Sequence, residues 1–321
     1  MLSIVIITKD TEELLKNLLF SINKDETIKP FLKEVIVVDN GSIDKTSEMI
    51  QGNFPDLMYI KNEKNEGFAA AVNKALFHAV GKYIYFLNSD TLIIEGEIKK
   101  MLDIMENNPD IGICGPQLVY PDMRLQRSFA YVPSLLFEIF PRSLAEIIYP
   151  EKISSSPSGK ETNVIDVPSL IGAAILTRKN VLDTLKGFDE RFFFFLEETD
   201  LCLRVKNLKY GNNGKTRTYR VVFYPYAKVI HLQGKTVSKN WVSGRIEYNI
   251  SLYKFIKKHH SSKYFMFFKS IRFFKCSIFL ILFFALPLLP VKEKLKRSYI
   301  YYSKLFLWHI KGCPDNKGLR A

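Results

Sequence analysis

The sequence is poor in cysteine, and its four residues of that type, Cys114, Cys202, Cys276 and Cys313, are scattered with no CxxC pair. That spacing excludes a zinc ribbon and a disulfide framework, and it suits a reducing compartment. No GxGxxG follows the first apolar run, and neither GxxxxGKS nor GxxxxGKT occurs anywhere. The dinucleotide-binding and P-loop classes therefore lose their fingerprints. Long hydrophobic runs are missing as well. The uncharged stretch Cys276 to Pro290 is 15 residues long and contains Pro287 and Pro290, whereas a spanning helix needs about 20 apolar residues. The amino terminus, MLSIVIITKD, has too short an apolar run for a signal peptide and no small-residue cleavage site, so it reads as a strand.

What is present is ordinary globular material, 47% apolar and 25% charged over 321 residues, enough for one large domain or two smaller ones. The formal net charge of +13 is unevenly placed. Residues 245–321 carry 16 Lys plus Arg against Glu247, Glu293 and Asp315, so residues 1–244 sum to zero. The chain divides into a neutral body, 1–244, and a basic, aromatic-rich tail, 245–321. Such a tail suits an anionic membrane surface, and nucleic acid is the other partner it could attract. Its aromatics are interleaved with Ile, Leu and Val rather than with polar residues, which favours lipid, so no nucleic acid partner is expected.

Periodicity orders the body. Ser3 to Thr8 reads as a buried strand, and leucines at 14, 15, 18 and 19 give Glu12 to Ile22 a helical stripe. Glu34 to Val38 is a second strand, running into Asp39-Asn40-Gly41-Ser42. Leu57 to Ile60 is a third, followed by Asn65-Glu66-Gly67-Phe68 and an alanine-rich helix, Ala69 to Val80. Tyr83 to Asp90, YIYFLNSD, then reads as a strand buried on both faces. This alternation predicts an α/β fold with a doubly wound, mostly parallel sheet, flanking helices and right-handed crossovers. Ligands of such sheets sit beyond the carboxyl ends of the strands, so Asn88, Ser89 and Asp90 are delivered to a crevice. Asp90 is a hard-oxygen ligand suited to Mg2+ or Mn2+ holding a diphosphate. The same three residues are turn formers, and a plain strand-ending turn is the alternative.

Glu197, Glu198 and Asp200 precede Leu201, Val205 and Leu208, which are spaced along one helical face. The acids thus occupy a first helical turn, where the dipole favours ionised carboxylates, whether as a general base or as caps. Adjacent helical side chains point about 100° apart, so Glu197 and Glu198 cannot both face one acceptor. Between Tyr120 and Ser169 the periodicity fades, and SSSPSGKETN, 154–163, marks an insertion over the site. Arg124, Gln126 and Arg127 are candidates for acceptor contact or for solvated surface. Leu135 to Phe140 and Leu144 to Ile148 suit a lid or a membrane-leaning edge. In the tail a helix is expected over Arg245 to His260. The segment around 276–290, flanked by Lys and Arg, fits an in-plane or re-entrant helix, with a span or a buried core helix as alternatives.

The strings SIVIITKD, VIVVDNGSIDKT, NEGFAAAVNKAL and YIYFLNSD, in this order and spacing, resemble the family 2 glycosyltransferases with the GT-A fold. The middle of the chain is most similar to the rhamnosyltransferase-like branch. Its strings are Gly115-Pro116-Gln117-Leu118 with Tyr120-Pro121-Asp122 and Gln126, Asp166-Val167 before Gly172-Ala173-Ala174-Ile175-Leu176, GFDERFF, EETDLCLR and an isolated His231. The resemblance implies a GT-A catalytic domain over 1–244 and a membrane-associating tail, placed at the cytoplasmic face of a membrane. The implied donor is a nucleotide diphosphate sugar, with dTDP-rhamnose leading. The implied acceptor is a glycan or lipid-linked glycan in cell-surface polysaccharide synthesis.

By the same resemblance, Thr8, Asp39, Asn65 and Gly67, with Asn88 and Ser89, hold the donor nucleotide. Asp90 and His231 hold Mn2+ or Mg2+, and a neutral imidazole favours Mn2+. On its residues alone, a hydrogen-bonded histidine at a strand end is the alternative for His231. Glu198 maps onto the catalytic base, where many relatives carry Asp, with Glu197 and Asp200 beside it. Gly172, Ala173 and Gln126 map to the acceptor side. One base opposite a metal-held leaving group implies a single in-line displacement with inversion. A catalytically inactive scaffold of the same fold and a nucleic-acid-binding protein are the rival readings.

Overall fold

A computed structural model of the chain describes residues 1–140, 163–211, 217–232, 241–284 and 293–319. The elements in chain order are β1 (Leu2–Thr8), α1 (Glu12–Lys24), β2 (Leu32–Asp39), α2 (Thr46–Asn53), β3 (Met58–Lys61), α3 (Phe68–His78) and β4 (Tyr83–Asn88). There follow β5 (Thr91–Ile93), α4 (Glu97–Asn107), β6 (Ile111–Val119), β7 (Phe129–Ala130), α5 (Leu135–Ile139), β8 (Ile165–Asp166), β9 (Ser169–Leu170), β10 (Ala174–Arg178) and α6 (Lys179–Leu185). The last are α7 (Glu197–Asn207), β11 (Lys209–Tyr210), β12 (Arg217–Thr218), β13 (Arg220–His231), α8 (Trp241–His259), α9 (Ser262–Leu282) and α10 (Glu293–Ile310). They divide into two compact units. One takes Met1–Val132, Ser154–Phe193 and Glu197–Thr236, and the other takes Pro133–Ile153, Phe194–Leu196 and Val237–Ala321.

The first unit is built on a sheet of order β3-β2-β1-β4-β10-β6-β13-β5, with β8 paired to β13. Strands β1 to β4 run parallel, as do β6 and β13. This is the mostly parallel, helix-flanked architecture that the alternating pattern predicts. The apolar run of β4 is buried along its length from Tyr83 to Leu87 because neighbouring strands and helices cover both faces. Each such fully buried Leu or Phe contributes about 2 kcal/mol relative to exposure. Helix α1 turns Leu15, Leu18, Leu19 and Ile22 onto the sheet, a spacing that places them on one face. Strand β10 departs from the parallel pattern, running antiparallel between β4 and β6. At its end the buried Arg178 guanidinium donates to Ile111 O at 2.7 Å and to the Tyr83 hydroxyl at 3.1 Å, tying the three strands together.

Register decides which strand ends meet. Thr8 at the end of β1 lies opposite Asp39 at the end of β2, and Ile7 lies opposite Asn88 at the end of β4. Strand order reverses between β1 and β4, so this is the switch point where an α/β sheet opens a crevice.

The second unit packs α5, α8, α9 and α10 around Tyr253, Phe255, Phe268 and Trp308. Arg272 of α9 pairs with Glu138 of α5 and donates to Asn249 of α8. Among the described residues no helix is long and apolar enough to cross a membrane. The apolar segment expected around 276–290 is helical as far as Leu282, and its last residues lie outside the described ones. Leu144 to Ile148 and all but the last residue of the polar loop 154–163 also lie outside them.

Candidate active site

The loops beyond β1, β2 and β3 are sewn together by buried polar side chains. Asp39 is fully buried, accepting from the Ser42 main-chain N–H at 2.7 Å and from the Tyr59 hydroxyl at 2.6 Å. Burial and the Asp39 carboxylate push the Tyr59 phenol well above its usual range. Asn40 is the hub of the next turn. Its amide nitrogen donates to Gly67 O at 3.0 Å, and its amide oxygen accepts from Asn62 Nδ2 at 2.9 Å. Asn65 Oδ1 accepts from the Gly67 N–H at 3.0 Å, closing a turn just before α3. Gly67 sits at φ +91°, and a methyl group there would fall 2.7 Å from Phe193. Thr8, Thr11 and Ser89 form a buried hydroxyl chain, with links of 2.7 and 2.9 Å. Thr8, Asp39, Asn88 and Ser89 therefore converge at the carboxyl ends of the central strands, with Asn65 and Gly67 in the turn tied to them through Asn40.

Asp90 follows directly. Strand β5 leaves it antiparallel to β13, in a register that sets Thr91 against His231, and the Leu232 N–H donates to Asp90 O at 2.8 Å. This brings two buried side chains together, with His231 Nε2 3.5 Å from Asp90 Oδ1. On its other side the His231 ring meets Gln126, Nδ1 to Oε1, at 3.0 Å. No group of three His, Cys, Asp or Glu that could hold a metal ion occurs among the described residues. The pair fits a divalent ion because one carboxylate and one imidazole are both donors that such an ion accepts.

Helix α7 carries the acids in its first turn, as the pattern predicts. The structure separates them by environment. Glu197 is buried, and Asp200 is fully buried with Arg204 Nε 2.7 Å away. Glu198 is half-buried and lies under Gly172, where a methyl group on the glycine would meet Glu198 Cγ at 3.5 Å. Gly172 and Ala173 in turn sit beside the strand end, since the Asn88 N–H donates to Ala173 O at 3.0 Å. A continuous line thus runs from Asp90 through Asn88 and Ala173 to Gly172 and Glu198.

Gln126 is buried rather than displayed, with its amide engaged by the His231 ring and main chain. Sequence reasoning passed over Asn40, Tyr59, Asn62 and Thr11. The DNGS turn signalled polar crowding at position 40. Nothing local marked Tyr59 as a partner of Asp39, because their pairing is a matter of strand register.

The model of the family described as "Glycosyl transferase family 2" matches residues 3–185. The chain belongs to glycosyl transferase family 2. Among family relatives, it is 26% identical over 246 residues to the N-acetylglucosaminyl-diphospho-decaprenol L-rhamnosyltransferase of Mycobacterium tuberculosis, covering 71% of this chain and 75% of that one. It is 36% identical over 116 residues to the uncharacterized glycosyltransferase YfnE of Bacillus subtilis, over 35% of this chain and 29% of the other. Among solved structures it resembles the mannosyltransferase PcManGT of Pyrobaculum calidifontis, in complex with GDP-Man and Mn2+. That match has a TM-score of 0.56 at 15% identity, over 98% of this chain and 87% of that one. S. aureus TarS 1-349 gives a TM-score of 0.51 at 16% identity, over 97% and 82%. The fold is GT-A, and the rhamnosyltransferase-like character read from the middle of the sequence is supported.

Proposed function

We propose that the chain is an inverting, metal-dependent glycosyltransferase that moves a sugar, rhamnose by the similarity to the mycobacterial enzyme, from a nucleotide diphosphate donor. Its proposed acceptor is a glycan or lipid-linked glycan in cell-surface polysaccharide synthesis, a reading in keeping with the diphospho-decaprenol in the name of the mycobacterial relative. The observation that carries the reading is the Asp90–His231 pair at 3.5 Å, buried at the switch-point end of the sheet. A divalent ion bound there would neutralise the leaving diphosphate. Mn2+ suits an imidazole ligand better than Mg2+ does, and the mannosyltransferase neighbour was solved with Mn2+.

The chain's own residues divide the remaining work. The Asp39 loop and the turn around Gly67 shape the nucleotide pocket. Glu198, at a helix N-terminus that favours the ionised carboxylate, removes the acceptor proton. Gly172, which has no side chain to crowd Glu198, lies on the acceptor side of it. The tail adds a surface: Phe267, Phe274, Ile278 and Ile281 fall on one face of α9, and Phe274 and Ile281 are 66% and 71% exposed. That face, on a unit rich in Lys and Arg, suits peripheral attachment to an anionic membrane. A panel of nucleotide sugars tested for thermal stabilisation, with and without Mn2+, checks donor and metal together. Stabilisation by dTDP-rhamnose that needs Mn2+ and vanishes in Asp90→Ala supports the reading. Full transfer activity in EDTA would sink the metal assignment.

A further inference from the structure

We propose that Gln126 is a positioning residue for the cation pair: it fixes His231 in the tautomer that carries its proton on Nδ1, and so aims the Nε2 lone pair at Asp90. This rests on the metal reading above for its consequence, but not for its geometry. The orientation of the Gln126 amide follows from its surroundings. Its nitrogen lies 2.6 Å from His231 O and 3.4 Å from Val119 O, and main-chain carbonyls only accept. The nitrogen end is therefore the donor to both. The oxygen end must then be the atom 3.0 Å from His231 Nδ1. An amide oxygen also only accepts, so Nδ1 supplies the hydrogen and a neutral ring keeps its lone pair on Nε2.

That lone pair points at a carboxylate. The Nε2 to Oδ1 separation of 3.5 Å is longer than an ordinary N–H···O bond. Two acceptors facing each other repel, unless a cation, a metal ion or a proton, is shared between them. Two ligands bonded to one ion at about 2.1 Å sit roughly 3 Å apart, so the spacing suits a shared cation.

Gln126 is itself held rigidly. Its main-chain N–H donates to Leu118 O at 2.8 Å, and its carbonyl accepts from Gln117 Nε2 at 2.7 Å. It is buried on the strap that returns along β6. An outer partner of this type orients a metal-bound histidine, and losing one typically costs about 10- to 100-fold in metal affinity. A neutral amide does so without adding negative charge to the site. Gln126 thereby acts behind the histidine, and not on the acceptor.

The test uses the full-length chain labelled with 15N, which has five histidines. Long-range 1H–15N spectra at pH 8 assign the His231 tautomer in the metal-free protein, and Mn2+ binding is followed by electron paramagnetic resonance. The wild type is expected to show the proton on Nδ1. Gln126→Leu should move His231 toward the Nε2–H form and weaken Mn2+ binding about 10- to 100-fold. A wild-type ring protonated on Nε2 overturns the proposal. So does a folded Gln126→Leu protein with unchanged tautomer and unchanged Mn2+ affinity. Should that variant fail to fold, the wild-type tautomer decides. If the wild type has the expected tautomer but binds no Mn2+, the metal reading fails and the ring positioning by Gln126 stands.

Discussion

Asp200 and Arg204 face each other across one turn of α7, with Arg204 Nε 2.7 Å from Asp200 Oδ2 and the carboxylate fully buried. A buried acid held by a cation cannot easily reach out to an acceptor hydroxyl. Its neighbour Glu198 is half-buried under Gly172, whose missing side chain leaves room above it. Stability and catalysis should therefore separate along one helical turn. Asp200→Ala strands the Arg204 charge and should cost about 3 kcal/mol, seen as a lower denaturant midpoint. Glu198→Gln should leave that midpoint near wild type and lower kcat by roughly 10²-fold or more. If Glu197→Gln or Asp200→Asn produces the kinetic loss while Glu198→Gln turns over normally, the base is misassigned.

Gly67 gives a second separation. Its φ of +91° and ψ of 166° lie in a region that residues with a Cβ essentially do not enter. A methyl group would also press on Phe193, whose carbonyl accepts the first N–H of α3 at 2.7 Å. Gly67→Ala should thus cost at least about 1–3 kcal/mol, measured by chemical unfolding. It should also weaken donor nucleotide binding, because Asn40 Nδ2 donates to the Gly67 carbonyl. Wild-type stability in this variant would mean that the turn relaxes freely.

The helical unit carries a pH dependence of its own. His309 Nδ1 donates to Leu305 O at 2.8 Å, so Nε2 is the acceptor for the Tyr253 hydroxyl at 2.7 Å. Burial depresses the His309 pKa below its ordinary value of 6.5, and Arg272 and Lys269 nearby add to this. A lowered folded-state pKa means that the unfolded chain binds the proton more readily. Stability from this group is therefore present above about pH 6.5 and is lost as the pH falls below it. Melting curves between pH 8 and pH 5 should show this decline, and His309→Gln should flatten it. An unchanged slope in the variant would assign the effect elsewhere, His260 being the other histidine whose pKa burial lowers.

How far the sequence disclosed this molecule depends on whether the information was local. Strands β1, β2 and β4 are apolar runs closed by polar turns, and burial on both faces leaves little else for YIYFL to be. The acids of α7 announced themselves by the helical spacing of Leu201 and Val205. Long-range pairings were hidden. Nothing in AILTR says that β10 runs antiparallel between β4 and β6. Gln126 sits 105 positions from the histidine ring it meets, and only the register of β6, β13 and β5 brings them together. The left-handed backbone at Phe195 and Leu196, φ +72° and +66°, was equally silent, since bulky residues seldom adopt it and no glycine flags the bend.

The tail offers a test that depends on physics more than on family. Helix α9 exposes Phe267, Phe274, Ile278, Ile281 and Leu282, and residues 245–321 hold the whole net charge of the chain. One segment can therefore supply two signals: about 1 kcal/mol of attraction per basic residue near an anionic surface, and burial of apolar side chains. The two respond differently to salt. At 1 M ionic strength the Debye length falls to about 3 Å, so the Coulomb part is screened while the apolar part survives. The full-length chain should sediment with phosphatidylserine-containing vesicles at low salt and be only partly released at high salt. Replacing Phe274 and Ile281 together by Glu should remove the salt-resistant fraction and leave the salt-sensitive one. If the wild type ignores vesicles at low salt, or elutes as a dimer that the double variant converts to monomer, a second copy of the chain covers this face and the membrane assignment falls.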